Sequence, residues 1–178
     1  MSDPTLGLHS LAAMVRVLGP PQPLNQVLEL AAEGGRLALM AATVSISRYD
    51  EEHGVLRTLV NVGNLSPAEV RWPTDETYAV PRWPELAEVL DNGSVRSDSL
   101  ADPTIDSKER ALLESLGKGH SITAAVLVDD GVWGELYATR WQRQPAFGEE
   151  SLHYVEVLSA LLGGAISRSL EESEAHGH

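Results

Sequence analysis

The chain has 178 residues, no cysteine, and 26 acidic against 13 basic side chains, for a formal charge of −13. One domain of this length buries roughly 70% of the surface its unfolded chain exposes, so a core needs no staples, and the missing thiols exclude disulfides, thiolate metal ligands and cysteine nucleophiles. The acidic surface disfavours nucleic acid and anionic lipid, no apolar run approaches ~18 residues, and the start lacks a basic-then-apolar order, so the expectation is a soluble, cytoplasmic protein without nucleic-acid or membrane partners.

Leu8, Leu11, Ala12, Val15 and Leu18 recur at helical spacing, which predicts a short amphipathic helix over 6–18. "GPPQP" (19–23) breaks it, and Pro23 suits the first turn of a second helix running to about Met40, with Leu24, Val27, Leu28 and Ala31 on its inner stripe. Gly34 and Gly35 are costly inside that helix; close packing on a sheet or a break would each account for them. Two strands are predicted at 41–50 and 55–63, where Val44 and Ile46 alternate with Ser45 and Ser47 and Gly54 supplies the turn.

The middle, 64–106, is rich in Pro, Asp and Ser and predicts only short elements: a strand around Thr77 to Val80, a helix from Pro84 to Leu90 and a strand at Ser94 to Ser97. "SKERALLESLG" (107–117) predicts a helix with Ser107 as N-cap, Arg110 opposite Glu114 and Gly117 past its end. A hairpin follows, turning at Asp129, Asp130 and Gly131, with "ITAAVLV" apolar on both faces and Gly134 inside the second strand. The last helix, about 148–170, opens on Glu149 and Glu150 at the positive end of its dipole and carries Leu152, Val155, Leu158, Leu162, Ala165, Ile166 and Leu170.

This order of elements resembles a GAF domain. "VSISRYDEEHGVLRTLVNVG" is similar to the family's first hairpin, "ELAEVLDNGSVRSDSLADP" to its middle segment, and "ALLESLGKGHSITAAVLVDDGVWGELYATRWQRQPAFGEESLHYVEVLSALLGGAI" to its closing stretch. The resemblance implies an α+β fold: a central antiparallel sheet of about five to six strands, N- and C-terminal helices on one face, and short helices and loops on the other. It implies three regions: an N-terminal helix and linker (1–22), a GAF domain (23–170) and a polar tail (171–178). It implies that Phe147 packs under the start of the last helix, which in this family commonly continues into an output domain.

Members of this family are mostly regulatory or sensory modules for small molecules, so the resemblance implies a non-catalytic sensor. Covalent bilin attachment and the family's methionine sulfoxide reductase chemistry both need a cysteine, which is absent. Cyclic-nucleotide-binding members carry Asn-Lys before the Phe, where this chain has "TRWQRQ". His120 lies near where some haem-binding members place an axial ligand; by itself it reads as a polar loop residue. There is no histidine pair at i, i+4, no phosphate loop and no nucleophile elbow, so no metal ligand, catalytic residue or cofactor is assigned.

Simple alternation places Trp133, Tyr137 and Trp141 on one face of the last strand with Glu135 and Thr139. Val132, Gly134, Leu136 and Ala138 fall on the other, expected against the terminal helices. Rings mixed with Glu and Thr suit a pocket wall, and the middle segment lids the pocket in this family. The candidate ligand-binding residues are therefore Trp72, Tyr78, Trp83, Arg96, Trp133, Glu135 and Tyr137. Arg71, Arg82 and Arg96 suit an anionic or nucleotide-like ligand. The competing reading has the rings fill the pocket, leaving a ligand-free interaction module. The apolar stripe Leu8, Leu11 and Val15, with Val157 and Leu161, predicts a homodimer through the terminal helices, closed as a four-helix bundle.

Overall fold

A computed structural model describes residues 4–177, with side chains from residue 7. The first three residues of the 1–22 region and His178 of the expected tail lie outside the described residues. The chain begins with α1 (Pro4–Leu18), stopped at Gly19 and two prolines, and α2 (Leu24–Ala38), whose first amide bonds close on the Pro23 carbonyl. A hairpin follows, β1 (Thr43–Asp50) and β2 (Val55–Gly63). The middle holds β3 (Thr77–Ala79), one 3-10 turn (Val80–Arg82), α3 (Pro84–Asn92) and β4 (Val95–Ser99). Then come α4 (Ser107–Leu116), β5 (His120–Val128), β6 (Gly131–Arg140) and α5 (Glu149–His176).

The helix ends follow local chemistry. Asp106, one residue before the expected Ser107, caps α4: its carboxylate accepts from the Lys108 and Glu109 amides. Gly93 and Gly117 end α3 and α4 in the left-handed conformation, at φ 60° and 68°. The β5–β6 turn is carried by Asp129 and Asp130 at φ 51° and 65°, a primed turn whose twist matches the hairpin, so Gly131 begins the strand. Arg110 reaches the Asp102 carbonyl rather than Glu114.

The six strands form one antiparallel sheet in the order β3-β2-β1-β6-β5-β4. One face carries α1, α2 and α5 over the main core, built from Val44, Ile46, Val60, Val62, Ile122, Ala124, Val126, Leu136 and Ala138 on the sheet and Leu158, Leu162 and Ile166 on α5. A smaller cluster of Leu56, Val80, Val89, Leu90 and Ala125 holds the 3-10 turn and α3 to the opposite face. The sheet is thus covered on both sides, and β5, buried through most of its length, needs its two apolar faces.

Two features depend on close approach. α2 is unbroken at Gly34 and Gly35, and the glycines face helices rather than the sheet: a Cβ on Gly34 would strike the Met14 sulfur of α1, and one on Gly35 would stand 2.8 Å from Leu158 Cδ2 of α5. At Gly134 a Cβ would overlap the Ser47 carbonyl of β1, so this glycine lets two central strands pair.

Two expectations need correction. The strand pairing slips between Val126↔Gly134 and Leu127↔Val132, leaving Trp133 as the extra residue of a β-bulge. The bulge turns Trp133 into the helix-side core, 8% exposed, while Val132 packs on the opposite face. The last helix also continues to His176, past the expected end at 170, because "EESEAH" holds good helix formers and no breaker before Gly177.

Candidate functional site

On the face away from the long helices, the sheet, the loop after β2, and the helices α3 and α4 surround a cavity of about 620 Å³, open mouth included. Its floor is a row of strand side chains that the alternation of β1, β2, β5 and β6 turns away from the main core: Thr43, Ser45, Ser47, Thr58, Thr123, Glu135 and Tyr137. Its roof is largely apolar, with Tyr78, Trp83, Leu86, Leu112 and Leu116. The rings of Tyr78 and Trp83 meet edge to face, with centroids 6.3 Å apart and planes at 81°. Leu56, Glu69, Glu76 and Glu109 complete the lining.

The floor hydroxyls are largely satisfied among themselves. Ser47 Oγ donates to Thr58 Oγ1 at 3.2 Å, Thr43 and Thr139 share a hydrogen bond of 2.5 Å, and Ser45 Oγ donates to Asn61 Oδ1 at 2.5 Å. Asn61 Nδ2 donates in turn to the Val70 carbonyl at 2.9 Å and to Glu76 Oε1 at 3.2 Å, which braces the loop against β2. Glu109 reaches in from α4, and its Oε1 accepts from Ser121 and from Tyr137, each at 2.6 Å.

Glu135 stands apart. Its side chain faces the cavity at 7% exposure, and no described residue donates a hydrogen bond to it. Burial, reinforced by the neighbouring Glu109 charge, pushes its carboxyl up to about 8. Burial also raises Glu109, partly offset by the hydroxyls of Ser121 and Tyr137. Tyr137 is raised well above the usual phenol range by burial and then by Glu109. Among the described residues no lysine or arginine lines this cavity.

Of the seven candidate residues, the structure brings Tyr78, Trp83, Glu135 and Tyr137 together on the cavity wall. Trp133 is removed to the other face by the bulge, and Trp72 lies outside, 43% exposed. Arg96 lines a smaller adjoining cleft and is held by Glu85 at 2.7 Å and Asp98 at 3.1 Å. Arg71 bridges Glu29 at 2.5 Å and Glu33 at 3.0 Å on α2, and Arg82 is exposed, so the three arginines expected to meet an anion do not line the cavity. His120 is not a loop residue but the first residue of β5, buried, with Nδ1 bonded to Ser99 Oγ at 2.9 Å and Nε2 to the Gln144 carbonyl at 2.8 Å. Both ring nitrogens are engaged, which leaves neither for a haem iron.

Sequence reasoning missed Glu109 and the hydroxyl floor. Glu109 leads the stripe Leu112, Leu113 and Leu116 at helical spacing, an acid at the head of an inward-facing row. The alternation of Ser45 and Ser47 with Val44 and Ile46 carried the second signal.

A helical layer on one face of the sheet and a partly covered cavity on the other define an α+β single-sheet domain. The family follows from the sequence: a model of the GAF domain matches residues 23–166, and the chain belongs to that family. No curated protein matches it. Solved structures share the fold. The chromophore-binding domain of the R. palustris bacteriophytochrome RpBphP3 aligns at TM-score 0.75 and 11% identity, over 93% of this chain and 62% of that one. The phycocyanobilin-bound GAF domain of a cyanobacterial phytochrome aligns at TM-score 0.71 and 18% identity, over 97% and 98%. The photosensory core module of Stigmatella aurantiaca phytochrome aligns at TM-score 0.77 and 12% identity, over 96% and 38%. The chain therefore spans about three fifths of the first of these and less of the last. Among the described residues no helix is long and apolar enough to cross a membrane.

Proposed function

We propose that this chain is a non-catalytic sensory or regulatory GAF module of a cytoplasmic signalling protein, binding a small molecule in the cavity under α3 and α4 and transmitting through α1 and α5. The observation that carries this reading is the cavity itself: an apolar roof over a polar floor with one buried carboxyl left unpartnered, the combination that orients a small ligand. The fold shared with a phycocyanobilin-bound GAF domain supports it. No residue of this chain can form a thioether to a bilin, since it has no cysteine. Transmission has a physical route, because a Cβ on Gly163 of α5 would overlap the Leu127 carbonyl of β5: the output helix lies directly on the sheet that floors the cavity.

The terminal helices favour a homodimer. Leu8, Val15 and Val157 stand 69%, 52% and 44% exposed, whereas Leu11 and Leu161 already lean on the protein's own core. The test of the ligand reading is a thermal-shift screen of bilins, haem, nucleotides and metabolites. A ligand that binds only the folded state at a hundredfold excess over Kd adds about 2.7 kcal/mol. Its indole quenching should vanish in Trp83→Phe and persist in Trp72→Phe. Quenching unchanged by Trp83→Phe would move the ligand elsewhere, and a screen without hits would favour an interaction module.

A further inference from the structure

The cavity's charge is one-sided. Four carboxyl groups line it, Glu69, Glu76, Glu109 and Glu135, and among the described residues no basic side chain does. Nearby arginines are committed elsewhere, Arg71 to α2 and Arg96 to Glu85 and Asp98. Lys118 donates to the Asn64 carbonyl at 3.0 Å and lies over the Trp141 ring. Glu135 is buried as a residue and has no protein donor, and its carboxyl faces the cavity, where a ligand can supply one. Glu109 shows the contrast, since two hydroxyls already serve one of its oxygens.

We propose that the ligand of this cavity is an organic cation: an amine, amidine or guanidine on an aromatic or apolar body, its charged head paired with Glu135 and Glu109 and its body under Trp83, Leu86 and Leu112. This rests on reading the cavity as a ligand site. A charged N–H donor supplies what Glu135 lacks, and a charge-assisted hydrogen bond is stronger than a neutral one. Trp83 and Tyr78 on the cavity wall put aromatic rings within reach of a bound cation. An anionic ligand would meet Glu69, Glu76 and Glu109 with no counter-charge, and only the protonated Glu135 could donate to it. A metal ion fits less well, because the described residues form no group of three or more His, Asp or Glu able to hold one, and the roof is apolar.

Proton linkage follows from the same geometry. The titratable groups lining the cavity with Glu135 are Glu109 from α4, Tyr137 from its own strand, Tyr78 from β3, and Glu69 and Glu76 from the loop; β1, β2 and β5 add hydroxyls and Leu56 but no titratable group. Burial and the Glu109 charge hold the Glu135 carboxyl up at about 8. A bound cation favours the ionised form, so binding below that pH releases a proton and affinity rises with pH.

Isothermal titration tests this with the full chain. Tryptamine, benzamidine and phenylguanidine are compared with the neutral tryptophol, benzamide and phenylurea and with indole-3-acetate and benzoate. The expected result is at least tenfold tighter binding of one or more cations than of their neutral partners. Proton release should appear when buffers of different ionisation enthalpy are compared at pH 7, and the preference should vanish in Glu135→Gln. Glu109→Gln, its fold checked by circular dichroism, should weaken the same cation. Equal or tighter binding of the neutral compounds or carboxylates overturns the ligand class but leaves a ligand site. A cation preference that survives Glu135→Gln overturns the assignment of that residue. If no cation binds, the proposal is overturned, and the broad screen above decides separately whether the sensory reading falls with it.

Discussion

Tyr137 on β6 and Ser121 on β5 donate to the same oxygen of Glu109, each at 2.6 Å, so one carboxylate oxygen ties the helix α4 to two strands of the sheet. The pair links the cavity's roof to its floor. Tyr137→Phe keeps the ring and removes one donor to a buried carboxyl, which should cost about 1.5–3 kcal/mol. Urea unfolding checks it. A loss within experimental error would mean that the phenol and Glu109 are not bonded in solution.

Glu135 sets a pH dependence whose sign is fixed by its burial. Its folded value, about 8, lies above the ordinary 4.5, so between these the folded state binds more protons than the unfolded. Stability should fall as pH rises through that window and level off above it. Glu109, raised in the same direction, adds to the slope. Glu135→Gln should be more stable than the parent at pH 8 and above, by on the order of a few kcal/mol, with a flatter profile. Unfolding free energies at pH 5 and pH 8.5 decide it; a parent protein more stable at the higher pH would contradict the burial.

The two tryptophans that part company with the sequence reading should behave differently. Trp133, in the helix-side core, should cost about 3–5 kcal/mol as Trp133→Ala. Trp72→Ala, on an exposed loop, should stay within about 0.5 kcal/mol of the parent. Equal effects would argue against the bulge.

Gly134→Val drives a side chain into the Ser47 carbonyl of the neighbouring strand and should cost about 3 kcal/mol or more. Gly7→Ala, in α1 with no atom within 4 Å of the added carbon, should instead gain about 0.5–1 kcal/mol. Thermal melts of the pair separate a steric requirement from ordinary glycine entropy.

Light scattering addresses the dimer. The expected outcome is twice the chain mass at high micromolar concentration, and a monomer for Leu8→Glu with Val157→Glu. Both residues are exposed, so the substitutions should leave the fold intact. A parent chain that remains monomeric removes the dimer from the proposal.

The fold was legible because period-two and period-3.6 patterns are local properties of the chain. Val44 and Ile46 against Ser45 and Ser47, the glycines after α3 and α4, and the acids opening α5 each mark an element without reference to anything distant. The family resemblance assembled them into an order, and the alternating polar face of β6 placed Glu135 and Tyr137 on the cavity side.

Other outcomes belonged to the tertiary structure. Parity along a strand holds only while the pairing register holds, and the bulge opposite Val126 and Leu127 reversed it for Trp133. Whether an arginine meets a ligand or a neighbour depends on which acids the fold brings near it; Arg71 found Glu29 and Glu33, far back in the chain. Glu109 became a cavity residue because the fold brings its carboxylate within hydrogen-bonding reach of Ser121 on β5 and Tyr137 on β6. Sequence by itself determined the elements, their faces where pairing is regular, and the absence of thiol chemistry. The sign of the cavity's charge and the unpartnered state of Glu135 arose only once distant strands and helices met, because burial and hydrogen-bond partnership are properties of the packed chain.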